Sequence, residues 1–380
     1  MRPFIVASDL HLSPQSSGNT VRALTTLLQR NGAHELILAG DVFNLSWETA
    51  GRSPLELIGA LLDKFPELKA ALRAHVAHGS PLTFVAGNHD AGMMAPELRD
   101  ALLHELALTD VAPLEIASWF VRRSGVHVEH GHFYDPDNAP VHPLAEWSPA
   151  TEPLGVAIMR RFVGPTGAYQ FSHAHETTPL AGIAKAFREY GARTPMFIAH
   201  WFRTATDLCL ETRDPHRFDA ERAAGEAALE NFARLVELDV SVLESLLHSG
   251  AIPTHLDFKK TFMRLYFDRV FATSSLLLSG AAYLAWKSRA AGLLGLLAGL
   301  YLIQSVQRTG NRYEDLPVER LRAAAARVRE LTGASAVIFG HTHQVDEVAG
   351  YANSGSFGYA EQGRPYVRVG EDGEPHVLRI

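Results

Sequence analysis

The chain has little cysteine: Cys209 is the only one in 380 residues. A disulfide framework within the chain is thereby excluded, and a reducing compartment fits. No partner motif surrounds Cys209, so packing and not chemistry is its expected task. Basic excess is missing as well, because 35 Lys and Arg face 42 Asp and Glu, a net charge of −7 with histidine neutral. Phosphate backbones are gripped by basic surfaces, so nucleic acid is not an expected partner. The sequence carries no convincing internal repeat and no low-complexity tract, which excludes solenoids and disordered arrays. An apolar run starts at Phe4, directly after Met1-Arg2-Pro3, and leaves no room for a signal peptide before the first motif. The catalytic part is therefore expected to face the cytoplasm.

What is present reads as a globular protein, with 47% hydrophobic and 20% charged residues. Its length suits two domains, or one domain carrying a large insertion. Charge is uneven: the stretch 144–332 is nearly balanced with a slight basic excess, and the flanking parts are acidic. Divalent cations would partly neutralise acidic flanks.

Five short apolar runs, Phe4 to Ala7, Glu35 to Ala39, Leu82 to Ala86, Val126 to Glu129 and Ala336 to Phe339, each end directly at a polar motif. In order these are Asp9-Leu10-His11, Gly40-Asp41, Gly87-Asn88-His89-Asp90, the segment Glu129-His130-Gly131-His132 that overlaps its strand, and Gly340-His341-Thr342-His343. Ligands at strand ends are how α/β proteins build sites. Helical patterns lie between, Val21 to Arg30 before Gly32 and a segment from Ser53-Pro54 to Gly79. The tail Tyr351 to Ile380 reads as meander strands finishing the sheet.

The interval 144–332 reads as a mostly helical insertion, with starts at Thr178-Pro179, Pro215, Asp239 and Asp315 to Pro317, and an amphipathic helix over Leu321 to Leu331. The catalytic domain is then 1–143 with 333–380. Inside the insertion, 271–306 is an apolar hairpin: two uncharged stretches joined by Lys287-Ser288-Arg289. Each stretch is about 25 Å as helix, slightly short of a spanning segment. Gly292, Gly295 and Gly299 give the second stretch a small-residue face. Motifs on both sides must meet in one site, so only an even number of crossings is allowed. Lys259, Lys260, Arg264, Arg269, Arg308 and Arg312 flank the base favourably, whereas the charges of the break do not. Two readings stand: a pair that dips into or lies on a membrane, and a buried hairpin at the centre of a helical cap.

The chemistry follows from donor types. Asp9 and His11 alternate at a strand end and can grip one cation with oxygen and nitrogen. Asp41 can bridge two cations through its two oxygens, with Gly40 allowing close approach. Asn88 offers an amide oxygen, and His130, His341 and His343 complete seven ligands, the last two alternating along an expected extended segment. His89 beside Asn88 is the expected general acid, and Asp90 is expected to orient and charge it. His132 fits either a phosphate contact or a supporting place. Asp135 and Asn138 are turn formers that could also support His130. His173 and His175 repeat no ligand spacing and are not expected to form a further metal site.

These motifs resemble the calcineurin-like metallophosphoesterase superfamily: Asp-x-His, Gly-Asp-x-x-Asp, Gly-Asn-His-Asp/Glu, His and Gly-His-x-His. The resemblance covers about the first 143 and the last 48 residues. It implies a four-layered αββα sandwich, with Asp9, His11 and His343 on one metal, Asn88, His130 and His341 on the other, and Asp41 bridging. Asn44 replaces the second acid of Gly-Asp-x-x-Asp, a position that is not normally a ligand. The implied enzyme is a phosphohydrolase with two divalent cations, manganese first, iron or zinc also admitted by the donor set.

The apolar hairpin points to a lipid-linked or amphipathic phosphoester or pyrophosphate at a membrane surface, with the protein attached to the inner membrane through 271–306. A partial resemblance to the pyrophosphohydrolases that cleave UDP-diacylglucosamine agrees, although those have arginine where His89 stands and a much smaller insertion. The alternative is a soluble phosphodiesterase or phosphatase acting on nucleotides or phosphoproteins, with the hairpin only a packing element.

Overall fold

A computed structural model describes residues 3–45, 53–109, 113–168, 179–214, 216–309, 312, 316–360 and 362–380. The chain divides into two compact units, Met1–Arg160 with His216–Pro253 and Pro317–Ile380, and Arg161–Pro215 with Thr254–Leu316.

The first unit holds eleven described strands: β1 Phe4–Ala7, β2 Glu35–Ala39, β3 Leu82–Val85, β4 Leu114–Ala117, β5 Phe120–Arg123, β6 Val126–Glu129, β7 Ala336–Phe339, β8 Val345–Val348, β9 Tyr351–Ser354, β10 Pro365–Val369 and β11 Pro375–Arg379. One sheet has the order β11-β10-β1-β2-β3-β4, and the other β5-β6-β7-β9-β8. β1 through β4 pair in parallel, as do β6-β7 and β7-β9. Parallel strands buried on both faces must be apolar at every position, which explains why the sequence shows runs and not alternation.

Each run sends alternate side chains to different cores. Phe4, Val6, Ile37, Ala39, Val126, Val128 and Ile338 lie between the sheets. Ile5, Ala7, Leu36 and Leu38 face the helices Gly18–Arg30, Pro54–Lys64, Pro66–Ala77 and Pro96–Glu105. Phe120, Val337 and Phe339 face a third core with Leu229, Phe232, Leu243, Leu246, Leu321 and Val328. Helix, sheet, sheet, helix is the expected four-layered sandwich.

The insertion is smaller than the sequence implied. Helices Asp219–Val236 and Val240–Ser249 lie inside 144–332, yet they belong to the first unit with Leu316–Thr332 as the outer layer on the second sheet. Their apolar stripes fit the face of Trp119, Phe120 and Phe339. Helical periodicity announces such a stripe but not the surface it covers. The tail also differs, since β9 joins one sheet while β10 and β11 join the other beside β1. The segment from Ser53 is two helices, broken at Phe65-Pro66, where proline restricts the residue before it.

In the second unit, helices Phe267–Trp286 and Arg289–Arg308 each run 20 residues, about 30 Å and longer than the uncharged stretches alone. Left-handed Lys287 turns the chain between them. The small-residue face is the seam of this pair: a Cβ at Gly292 would meet Tyr283 at 3.2 Å, and one at Gly295 would meet Ser279 at 3.4 Å. Arg312 pins the base with a bidentate bond to Asp268 at 2.8 and 2.6 Å, and the Tyr301 hydroxyl donates to the same carboxylate at 2.6 Å.

The seam buries Ser279, Gly295 and Ala298, but little else. Leu277, Leu278, Leu284 and Trp286 are 68, 72, 71 and 78% exposed, and Leu293, Leu296, Leu300 and Ile303 more than half exposed. A hairpin buried at the centre of a cap is therefore corrected. Arg289–Arg308 is long and apolar enough to cross a membrane.

Candidate metal centre

The site forms where β1, β2, β3, β6 and β7 end at their carboxyl termini, all in the first unit. Extended alternation does not aim the ligands. Asp9, His11, Asp41, His341 and His343 all have positive φ, between 47 and 69°, a left-handed backbone that costs non-glycine residues about 1–2 kcal/mol each. After β1, β2 and β7 the chain leaves the strand in a sharp turn that tips the side chain toward a common centre. The expected extended segment at His341 and His343 is corrected accordingly.

Glycines in the motifs make room for the ligands. A Cβ on Gly40 would stand 2.3 Å from the His130 ring, one on Gly87 2.3 Å from Asp41 Oδ1, and one on Gly340 2.6 Å from Asp9 Oδ2. Such separations are not tolerated, so the ring and the carboxylates rest directly on peptide backbone.

Among the described residues, two groups of three side chains are close enough together to hold a cation: Asp9, His11 and His343, and Asp9, Asp41 and His130. His343 Nε2 stands 3.2 Å from Asp9 Oδ1, and His11 Nε2 3.2 Å from His343 Nε2. His130 Nε2 is 3.2 Å from both Asp41 Oδ2 and Asn88 Oδ1. His130 Nδ1 donates to the Ala39 carbonyl at 3.0 Å, leaving the Nε2 lone pair for the centre. Asp9 Oδ1 is buried with no aligned hydrogen-bond donor among the described residues, the His343 nitrogen facing it at 3.2 Å. Buried oxygens and imidazole nitrogens converging with so few protons among them fit divalent cations.

His341 lies outside both groups. Its Nε2 meets Asp135 Oδ2 at 2.9 Å, so only Nδ1 is left for a cation, and its ring is 5.2 Å from that of His130. Asp135 thus supports His341, which corrects the support expected for His130. Asn138 bridges, donating to Asp135 at 2.8 Å and accepting from the Asn88 amide at 3.2 Å.

Asp90 is also corrected. Its carboxylate accepts from the backbone of Gly87 and Val42 at 2.7 Å and of Asp41 and Phe43 at 3.3 Å. Both oxygens are spent on holding the Asp41 loop against the Gly87 turn, so Asp90 positions backbone. His89 is half-buried, its N–H donates to Asp41 Oδ1 at 2.8 Å, and its ring lies 5.3 Å from that of His11. His132 is buried 5.3 Å from the His130 ring. Asn44 is buried near the loop that Asp90 holds. His173 and His175 lie outside the described residues.

Charges in the centre are mutually dependent. Burial raises the Asp9 carboxyl, but the neighbouring His130 and His343 win and hold it at about 2. Burial pushes the His130 imidazole down, and Asp41 and Asp9 reverse this to about 10. Burial lowers His11 to about 3 against the pull of Asp41. Asp90 goes up to about 7 through burial and the nearby Asp41 charge.

Sequence reasoning missed several supports. Ser8 bonds Asp9 Oδ2 and, at 2.6 Å, Ser354 Oγ; Ser356 Oγ donates to the Asp9 carbonyl at 3.0 Å. Asn353 donates to the Gly340 carbonyl at 2.6 Å. Tyr359 places its ring 5.1 Å from His11. The only signal was the polar run Asn353-Ser354-Gly355-Ser356 after an apolar stretch.

Residues 2–192 match a family model described as calcineurin-like phosphoesterase. The matched span carries Asp9, His11, Asp41, Asn88, His89, Asp90 and His130, while His341 and His343 lie beyond it. A comparison with curated proteins finds no match.

Proposed function

This chain belongs to the calcineurin-like phosphoesterase family, a family of metal-dependent phosphohydrolases, and from that premise we propose that it hydrolyses a phosphoester or pyrophosphate in a lipid-linked or amphipathic substrate at a membrane surface. The observation that carries the lipid reading is the exposed apolar hairpin.

Two bound divalent cations, held by Asp9, His11 and His343 and by Asn88, His130 and His341 with Asp41 between them, would supply positive charge to the phosphate oxygens and acidify water for attack. The chain's own residues do the rest. Asp41, fixed by the Asp90 clamp, keeps the two halves of the ligand set in one place. His89, half-buried at the edge of the centre, gives the departing alkoxide its proton.

The hairpin has the dimensions of a membrane element. Its helices are about 30 Å long, the thickness of a hydrocarbon core. Tyr266 lies at the base, and Tyr283 and Trp286 toward the tip, the first of them about 26 Å away along the helix, like aromatic residues at two interfaces. The six cations near the base outnumber Lys287 and Arg289 at the tip, which supports a base on the cytoplasmic side of the inner membrane.

The test is phosphorus NMR of the manganese-loaded protein on a total lipid extract in detergent, with Asp41→Ala as control. After chelation of the paramagnetic manganese, loss of a lipid phosphate resonance with growth of a product resonance is expected only with the intact site. Untouched lipids beside a cleaved soluble diester or nucleotide would sink the lipid reading and favour a soluble phosphodiesterase.

A further inference from the structure

The base of the apolar hairpin differs in charge from the rest of the chain. Residues 254–312 hold eight Lys and Arg against only Asp257 and Asp268, in a protein of net charge −7. Two of these cations and one acid are spent inside the second unit. Arg312 pairs with Asp268 at 2.8 and 2.6 Å, and Arg269 donates to Ser305 Oγ at 3.0 Å and to the Ser305 carbonyl at 2.9 Å. Lys259, Lys260 and Arg308, also of the second unit, are exposed and make no ion pair among the described residues.

Aromatic rings stand among these cations. The helix Phe258–Arg264 leads directly into Phe267–Trp286, and it is tied to the hairpin base because Arg312 also donates to the Met263 carbonyl. Phe262 stacks on both Phe258 and Phe271, with ring centroids 5.8 Å apart in each pair. Phe258, Met263 and Phe271 are 36, 37 and 60% exposed. Exposed apolar side chains interleaved with unspent cations are the composition of an element that lies at a membrane interface.

We propose that this collar binds acidic phospholipid headgroups in the leaflet at the hairpin base. The inference rests on the membrane reading above and names the lipid class that the base contacts. Seating two helices of about 30 Å in hydrocarbon brings their base to the headgroup layer. There Phe258, Met263 and Phe271 meet the acyl boundary, and Lys259, Lys260 and Arg308 reach phosphate. Charge decides the class: a zwitterionic headgroup carries its own ammonium, whereas an acidic one leaves its phosphate for the protein to balance. A second copy aligned along the hairpin would bring the same basic collar and repel it. Nucleic acid offers phosphate but no apolar layer for the exposed leucines.

Native mass spectrometry of the full-length protein in non-ionic detergent, given equal amounts of phosphatidylglycerol and phosphatidylcholine with matched chains, counts the lipids each molecule keeps. Phosphatidylglycerol is expected to lead by about fivefold or more, the ratio that one cation near an acidic surface contributes. The triple variant Lys259→Gln, Lys260→Gln, Arg308→Gln is expected to bring that ratio toward one. The charge-keeping triple Lys259→Arg, Lys260→Arg, Arg308→Lys is expected to preserve it, as is Lys287→Gln with Arg289→Gln at the tip. A ratio that survives the glutamine triple, or falls only with the tip pair, overturns the proposal, and so does its loss in the charge-keeping triple. A dimer that holds neither lipid would seat a second copy on the hairpin and overturn it too. If neither lipid is kept and the monomer stays dissolved without detergent, the membrane reading fails first and takes this proposal with it; equal retention of both lipids removes only the charge selection argued here.

Discussion

The Cβ that Gly87 lacks would lie 2.3 Å from Oδ1 of Asp41 and 2.4 Å from its backbone nitrogen. The turn after β3 and the carboxylate after β2 are thus fitted to each other without a spare atom. Gly87→Ala must push Asp41 away from His130 and Asn88. We expect kcat/KM to fall at least a hundredfold, with metal content below that of the parent by mass spectrometry. The overpacking should cost about 1–3 kcal/mol in stability. Parent-like metal content and rate would show that the loop has slack the geometry denies.

Asp90 separates two assignments. As a clamp on the backbone of Gly87, Asp41, Val42 and Phe43, it contributes through stability and metal affinity. Asp90→Asn swaps one acceptor oxygen for a donor facing N–H groups, a loss of about 1–3 kcal/mol or more. Thermal melting and metal titration should both register it, and at saturating metal any loss of kcat/KM should be the same on an alkyl ester and on a nitrophenyl ester. A loss confined to the alkyl ester would instead restore the role of charging His89.

What the sequence made legible was the chemistry and its order. The apolar runs before Asp9, Asp41, Asn88 and His341 mark doubly buried parallel strands, and the structure puts those residues at their ends. What stayed illegible was set by tertiary packing. Nothing local says that Leu229 and Phe232 cover Trp119 and not a second domain. Nor does spacing reveal that Asp135 reaches His341 across 206 positions while missing His130. The left-handed turns were hidden as well, because Asp and His, although enriched among the non-glycine residues with positive φ, mostly adopt other conformations and mark such a turn far more weakly than glycine does.

His89 should show itself through the leaving group. A proton donor matters when the departing alkoxide is basic and hardly at all when it is a stable anion. His89→Asn should therefore lower kcat/KM by about 10²-fold or more on an alkyl ester. On a nitrophenyl ester the loss should be far smaller. Equal losses on both would assign His89 to phosphate binding or to ordering the Asp41 carboxylate through its backbone N–H.

Cation loading must compete with protons. In the metal-free protein Asp41 and Asp9 overcome the effect of burial and hold the His130 imidazole at about 10, so near neutral pH its Nε2 carries a proton. A cation needs that lone pair, and loading expels the proton. The sign follows: affinity rises with pH, roughly tenfold per unit for one expelled proton, up to the range where His130 deprotonates unaided. Isothermal titration with manganese at pH 6, 7 and 8, in buffers of different ionisation enthalpy, measures both affinity and proton count. The expectation is at least one proton released per centre filled and tighter binding at each step upward. A constant affinity with no buffer dependence would mean that His130 is already neutral, and that Asp41 and Asp9 do not set its charge as their positions require.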